Sequence, residues 1–285
     1  MLTNIFTNVL LPLSLAIIML GMGSTLSLKD FARIITVPKP VFLGLLGQLI
    51  LLPLLGFVIA TTLVSDPYQQ VGVMILASCA GGATSNAIVY LSKGDLPLSI
   101  TLTACSSLVT VFTIPLVTAY ALSTFLSETE VIEFSIGNTN LLLILLTAIP
   151  VAIGMTIKHY SVKVATIVDK VISKFSIVFF VLLFFIILYQ NLTIIKTAIF
   201  EIGIAAWLLN LLAMLVGYYL AKLNALDITQ RKTLAVEVGV QNGATAIFIA
   251  STILANPQIS LFPAIYSIFM YVNVLIMFLI KSKQS

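Results

Sequence analysis

Residues Glu237 to Phe248 read EVGVQNGATAIF and place a carboxylate, two amides and two glycines inside an apolar segment near the C-terminus. An earlier stretch, CAGGATSNAIVY at residues 79–90, has the same layout, with a shared Gly-Ala-Thr before an apolar run. Glycine costs about 1 kcal/mol relative to alanine in a helix interior, whereas Asn, Ser and Thr favour the position that begins a helix. Both stretches therefore predict a helix that stops in mid-segment and a second helix that starts there.

The composition is typical of a polytopic helical membrane protein. Of the 285 residues, 60% are hydrophobic and only 8% are charged, too few charges to cover a soluble domain. Apolar stretches recur along the chain, and each has the roughly 17 or more residues that a helix needs to cross a bilayer. The net charge of +4 does not indicate nucleic-acid binding, because basic residues in such chains mark cytoplasmic loops. We interpret the N-terminus as a retained helix.

Apolar runs and the Gly, Pro and charged residues between them predict nine membrane-spanning helices. They cover approximately residues 5–23, 40–63, 69–92, 96–125, 139–157, 174–190, 199–221, 228–254 and 260–280. If the N-terminus is outside, 13 of the 14 basic residues fall in inside segments, and only Lys196 falls outside. Because basic loops stay in the cytoplasm, we expect a multi-pass protein of the cell inner membrane with a cytoplasmic C-terminus.

The two polar stretches lie in the third and eighth predicted spans, which run in opposite directions on this topology. Two similar units in opposite orientation are typical of inverted-repeat secondary transporters, in which broken helices bind the ligands. Spans one to four would correspond to spans six to nine. The start of each second half-helix would present N–H groups to an anion, and the end of each first half would present carbonyls to a cation. The alternative is that the small residues serve close helix packing alone.

Glu237 is the one acidic residue that we expect deep in a span, since the other nine lie in loops or at span ends. A charge at that depth costs about 2.5–3.5 kcal/mol on insertion scales and usually has a function. No basic residue is predicted at a similar depth, so Glu237 is either protonated or neutralised by an external cation. A hard cation prefers oxygen ligands. Residues that offer them are Thr84, Ser85, Asn86, Gln241, Asn242, Gln48, Ser99 and Thr103. A neutral, purely structural Glu237 is the alternative.

Four stretches resemble the bile acid:sodium symporter family, and the resemblance covers nearly the whole chain. They are MLGMGSTL, GQLILLP, GGATSNAIVYLSKGDLPLSITLT and EVGVQNG. The resemblance implies an all-α membrane protein, a single transporter unit whose two broken helices cross at mid-membrane. It also implies a panel domain, approximately residues 1–36 and 139–191, that moves against a core domain, approximately residues 37–126 and 199–281. Nine-span members lack the first helix of the ten-span members.

The same resemblance implies sodium-driven uptake of an organic anion, with no cofactor other than the coupling ion. One sodium site would consist of Ser85, Asn86, Ser99, Thr103 and Glu237. The second would consist of Gln48, Glu237, Gln241 and the main-chain carbonyls of Val238 and Val240. The anion would lie near Ala83, Thr84, Asn242, Gly243 and Ala244. In bacterial relatives that read Gly-Gly-Thr-Ala-Ser-Asn, the order of Ala83 and Thr84 is reversed.

We therefore expect a sodium-coupled importer that works by alternating access on a bile acid-like anion or a smaller carboxylate such as pantoate or a keto acid. Its partners would be sodium ions, the anion and the lipid bilayer, without nucleic acid. A proton-coupled or metalloid-anion transporter, with Cys79 as a thiolate ligand, is one alternative. A non-transporting membrane sensor with the same sites is another. An intramembrane enzyme is a third, but the sole histidine, His159, falls in a predicted inside loop and only one acid is deep.

Overall fold

The computed structural model describes residues 9–127, 132, 134–190 and 192–282. Within these ranges the chain is α-helical and contains no β-strand, so the all-α fold is confirmed. The helices are α1 Leu11–Thr25, α2 Leu28–Thr36, α3 Pro38–Leu63, α4 Pro67–Ser78, α5 Ala83–Leu91, α6 Leu96–Phe125, α7 Ile136–Tyr160, α8 Val162–Gln190, α9 Leu192–Leu223, α10 Ile228–Gly239, α11 Gly243–Ile253 and α12 Leu261–Ser282. One π-helical turn interrupts each of α3 and α7, at Gly47–Leu51 and Ile144–Ala148, and a third, Ile249–Ile253, ends α11.

Several helices have the length and the apolar composition of a membrane span. In the described part of the chain these are α3, α6, α7 and the Phe200–Leu223 portion of α9. Helices α1 and α2 satisfy the same criteria as one unit, although they are bent by 63°. The segments predicted as single spans at 69–92 and 228–254 each consist of two helices. The first is divided between α4 and α5, and the second between α10 and α11.

The two helix breaks lie against each other and share main-chain hydrogen bonds. Gly81 and Gln241 form an isolated antiparallel bridge, and the Asn242 N–H donates to the Ala80 carbonyl at 2.9 Å. The Asn242 side chain accepts from the Thr245 N–H at 3.1 Å and so begins α11. In an apolar interior, unpaired backbone groups cost several kcal/mol each. Pairing one break with the other therefore stabilises irregular backbone in both.

Helix α2 is short and amphipathic and links α1 to α3. It begins with a capping box in which the Ser27 N–H donates to Asp30 Oδ2 at 2.6 Å. Thr101 Oγ1 of α6 donates to the Asp30 carbonyl at 2.9 Å, and Arg33 Nη2 lies 3.8 Å from Asp95 Oδ1. These contacts fix α2 across the start of α6.

Helices α1 and α7 approach so closely that their main chains are in contact. A Cβ atom at Gly154 of α7 would lie 2.5 Å from the Ser24 nitrogen and 2.7 Å from the Gly23 carbonyl carbon of α1. Lys158 Nζ, one turn further along α7, donates to the Thr25 carbonyl at 2.5 Å and caps the end of α1. The sequence stretch MLGMGSTL thus provides a glycine-lined contact surface for α7.

Gly154→Ala is expected to lower the free energy of unfolding by about 1–3 kcal/mol, because the new methyl group forces two main chains apart. Gly137→Ala, in the same helix, is the matched control, since no atom lies within 4 Å of the added Cβ. Its stability should stay close to that of the parent protein, because Gly137 is the second residue of α7 and the cost of glycine in a helix interior does not apply there. Thermal unfolding of the two purified variants measures both effects. Equal shifts in the same direction would contradict the close packing of α1 on α7.

Candidate ion and substrate site

The Glu237 carboxylate lies at the end of α10 and has no exposed surface. Ser99 Oγ lies 2.6 Å from Oε1 and Thr103 Oγ1 lies 3.0 Å from Oε2, and both donate from α6. Gln48 Nε2, in the π-helical turn of α3, donates to Oε2 at 3.1 Å. Among the residues that the structure describes, no Lys, Arg or His forms an ion pair with this carboxylate. Hydroxyl and amide groups from two other helices therefore surround a carboxylate that lacks a basic partner.

The five residues of the predicted first sodium site come together from α5, α6 and α10. Ser99 Oγ is 2.7 Å from Asn86 Oδ1 as well as 2.6 Å from Glu237 Oε1, although its hydroxyl carries one hydrogen. Ser85 Oγ lies 3.4 Å from Thr103 Oγ1 and donates to the Gly82 carbonyl at 2.8 Å. The cluster therefore contains more hydrogen-bond-accepting oxygens than hydrogens that can be donated to them.

The predicted second sodium site contains two glutamines whose side-chain oxygens have no partner. Gln48 Nε2 donates to the Glu237 carbonyl at 2.8 Å, and Gln241 Nε2 donates to the Val238 carbonyl at 2.7 Å. Oε1 of Gln48 and Oε1 of Gln241 are both buried without a hydrogen-bond partner. A buried polar atom without a protein partner is unfavourable, so both oxygens are available to contact an ion or a water molecule. The carbonyl-bearing residues Val238 and Val240 of the predicted set are fully buried beside them.

The donor chemistry of this region suits a hard cation. Its ligands are carboxylate, hydroxyl and amide oxygens, which alkali and alkaline-earth ions prefer over thiolates and imidazoles. Across the described ranges, no group of three or more His, Cys, Asp or Glu side chains could hold a metal ion. Gly81 keeps the surroundings of the carboxylate open, because a Cβ there would stand 3.1 Å from Glu237 Oε2 and 3.4 Å from Ser85 Oγ.

The residues predicted to bind the anion lie at the two helix starts beyond the breaks. Asn242 begins α11, and a Cβ at Gly82 would be 3.9 Å from the Asn242 Cα, so the starts of α5 and α11 are neighbours. Gly243 and Ala244 are buried in the first turn of α11, and Thr84 is half-buried in α5. Ala83 begins α5, but its side chain lies outside the described part of the chain.

A cavity next to Asn242 lies between the start of α11 and helices α1, α6 and α7. The cavity measures ≈ 20 Å³, which is room for about one water molecule. Its lining consists of Met19, Ala80, Ser107, Thr110, Val111, Ile114, Leu143, Thr147, Asn242 and Thr245. Asn242 is the one residue of the predicted anion set in this lining. The structure therefore does not gather the five predicted residues around this cavity.

A buried polar network behind the α10 break was not anticipated from the sequence. The Gly239 carbonyl accepts hydrogen bonds from Asn210 Nδ2 and from Tyr266 Oη, each at 2.7 Å. Asn273 Nδ2 donates to Asn210 Oδ1 at 2.7 Å, and Trp207 Nε1 donates to Asn273 Oδ1 at 3.0 Å. The network caps the end of α10 from α9 and α12. Single asparagines inside apolar spans are the sequence signal that could have revealed it.

Comparisons with known proteins identify the family of this chain. The model of the "Sodium Bile acid symporter family" matches residues 12–198. The "Ileal sodium/bile acid cotransporter" of Oryctolagus cuniculus is 32% identical over 272 residues, which cover 93% of this chain and 77% of that protein. The human protein of the same name is 30% identical, with 93% and 76% coverage.

A plant relative extends the comparison beyond animal proteins. The "Probable sodium/metabolite cotransporter BASS1, chloroplastic" of Arabidopsis thaliana is 29% identical over 243 residues, 85% of this chain. This chain spans only 59% of the length of that relative. The names of these relatives describe cotransporters and not enzymes, so the expectation of a non-enzymatic protein is confirmed. The chain belongs to the sodium bile acid symporter family.

Proposed function

We propose that this protein is a sodium-coupled secondary transporter that imports an organic anion by alternating access. The observation that carries the proposal is the pair of unpartnered oxygens, Gln48 Oε1 and Gln241 Oε1, beside a buried carboxylate without a basic partner. A monovalent cation at this place neutralises the carboxylate and gives both amide oxygens a partner. The names of the relatives, which couple sodium to bile acid or metabolite transport, point to sodium as that cation.

Glu237 is shared by two sodium ions in this proposal. The first ion is held by Ser85, Asn86, Ser99, Thr103 and Glu237, and the second by Gln48, Glu237, Gln241 and the carbonyls of Val238 and Val240. Each ion links α10 to other helices, the first to α5 and α6 and the second to α3. Sodium binding therefore orders the region where the two breaks meet. The end of α10 adds a partial negative charge toward the second ion.

The membrane arrangement that we propose has nine spans, a pair of inverted repeats, an outside N-terminus and a cytoplasmic C-terminus in the cell inner membrane. Residues 1–36 and 139–191 form the panel, and residues 37–126 and 199–281 form the core. Helix α2 then connects the panel to the core, and its contacts with the start of α6 lie at the cytoplasmic end. The apolar helices and the family membership support a multi-pass protein.

The anion would bind where α5 and α11 begin, near Ala83, Thr84, Asn242, Gly243 and Ala244. Free N–H groups at helix starts favour negative charge. The adjacent cavity of ≈ 20 Å³ is far too small for an organic anion, so binding requires α1 and α7 to move away from α6 and α11. Such a displacement between panel and core is the alternating-access step, and the substrate is a bile acid-like anion or a smaller carboxylate such as pantoate.

Sodium dependence tests this function directly. The purified protein should melt at a higher temperature in Na⁺ than in K⁺ at equal ionic strength, because a ligand of the folded state stabilises it. Proteoliposomes should take up radiolabelled cholate or pantoate only when a sodium gradient is directed inward. A protein that is indifferent to sodium in both measurements would refute the proposal. Uptake driven by a proton gradient instead would favour the proton-coupled alternative.

A further inference from the structure

Helices α6 and α7 each carry a buried polar atom that has no partner and lies outside the sites described so far. The two atoms are Thr118 Oγ1 of α6 and Asn140 Oδ1 of α7, and the Thr118 side chain has no exposed surface. Two threonines of α7 bond to the carbonyl four residues earlier. Thr147 Oγ1 donates to the Leu143 carbonyl at 2.5 Å and Thr156 Oγ1 to the Ala152 carbonyl at 2.8 Å. The Thr118 hydroxyl makes no such bond.

Both atoms belong to residues one helical turn beyond the cavity. Ile114 of α6 and Leu143 of α7 line it together. Thr118 follows Ile114 by four residues and Asn140 precedes Leu143 by three, so each lies on the cavity-lining stripe of its helix. In the proposed topology the two helices run in opposite directions, which places both residues toward the loop that joins α6 to α7. A polar side chain therefore follows the apolar pair Ile114 and Leu143 on each of these two stripes.

The chemistry of these atoms indicates what they would bind. Asn140 Oδ1 can only accept a hydrogen bond, whereas the Thr118 hydroxyl can accept or donate. Neither carries a charge, so a second carboxylate is a poor ligand for them. Thr118 lies eight residues beyond Thr110, which is about 12 Å along the helix. A group bound here therefore lies one to two turns, roughly 6–12 Å, from the cavity beside Asn242.

We propose that Thr118 and Asn140 form a distal subsite for a hydroxyl or N–H group of an elongated organic anion. The proposal rests on the function proposed above, because the carboxylate of the same molecule would lie at the starts of α5 and α11. A rigid anion with a donor group 6–12 Å from its carboxylate is then preferred over an analogue without the donor. A short hydroxy acid cannot reach both places and gains nothing from the distal subsite.

Uptake into proteoliposomes with an inward sodium gradient tests the subsite with two pairs of acids. The long pair is cholate and its hydroxyl-free parent 5β-cholanate, and the short pair is pantoate and 3,3-dimethylbutanoate. The parent protein should favour cholate over 5β-cholanate in kcat/KM by at least tenfold, since a site built to bond a hydroxyl discriminates against its absence. Thr118→Val and Asn140→Leu should each lower this ratio by about tenfold.

The controls separate failure of the subsite from failure of the transporter. Thr156→Val, in α7 and with its hydroxyl already bonded to Ala152, should leave the ratio unchanged. Stabilisation by sodium should persist in every variant and shows that the variant is folded. If Thr118→Val does not fold, the subsite is tested with Asn140→Leu alone. An unchanged cholate preference in both variants, or sodium-driven uptake of the short acids alone, overturns the subsite but not sodium coupling. If the parent protein shows no sodium-driven uptake of any of the four acids, both the proposed function and the subsite are overturned.

Discussion

Glu237→Gln is expected to abolish stabilisation by sodium and to reduce sodium-driven uptake at least 100-fold. The substitution preserves the shape of the side chain but removes the negative charge that both proposed ions share. At a hundredfold excess over its Kd, each bound ion contributes about 2.7 kcal/mol to the stability of the folded protein. The variant should lose both contributions. The measurement is the difference in melting temperature between Na⁺ and K⁺, with uptake assayed in parallel.

The same variant should behave differently in K⁺. The carboxylate is fully buried and, within the described residues, has no basic partner. Removing an unpaired buried charge relieves a desolvation cost, so Glu237→Gln should melt no lower than the parent protein when sodium is absent. Asp169→Asn is the matched control, since the Asp169 carboxylate on α8 accepts a hydrogen bond from Ser173 Oγ, and this variant should keep its full response to sodium. A sodium response retained by Glu237→Gln would refute the shared-carboxylate arrangement.

Gln241→Leu is expected to eliminate the second ion while sparing the first. It removes the unpartnered Oε1 and leaves the contacts of Ser99 and Thr103 with Glu237 in place. Half-saturation of uptake should require about tenfold more sodium. The Hill coefficient for sodium should fall from near two toward one, because it cannot exceed the number of interacting sites. Sodium titrations of initial uptake rates provide both numbers.

Gln69→Leu is the matched control for this prediction. Gln69 is also fully buried with an unpartnered Oε1. It lies at the start of α4, where none of the predicted sodium ligands lies, and its Nε2 donates to the Gln258 carbonyl. It should change neither the half-saturating concentration nor the Hill coefficient. If Gln69→Leu and Gln241→Leu alter sodium dependence equally, the unpartnered oxygen at Gln241 has no special relation to an ion.

The helix breaks were predictable because their signals are local. A strong preference against a continuing helix is present at Gly81 and Gly82 in the first break and at Asn242 and Gly243 in the second. This preference is visible without any tertiary context. The membership in the symporter family was likewise recognisable from a few stretches, and the comparisons confirm it. Depth was the further clue for Glu237, since a carboxylate far from every loop seldom lacks a function.

The rest of the site depends on contacts that local sequence does not encode. The π-helical turn that carries Gln48 shifts the register of α3, and no periodicity in GQLILLP predicts it. From the sequence, Tyr266 is an ordinary aromatic residue of a membrane protein. Its hydrogen bond to the Gly239 carbonyl depends on the packing of α12. From the sequence, the same hydrogen bond is expected for Thr118 and Thr147, because helical threonines usually bond to a carbonyl of their own helix. Only the three-dimensional packing distinguishes the free hydroxyl from the bonded one.

The partners of the Glu237 carboxylate have a consequence for the biosynthesis of the protein. Gln48 is separated from Glu237 by 189 residues, which a ribosome takes roughly 10–40 s to add at typical elongation rates. During that interval Gln48, Ser99 and Thr103 enter the bilayer before the acceptor that they contact exists. The contacts of these side chains with Glu237 therefore cannot form until α10 has been made, and chain elongation sets the minimum length of this interval.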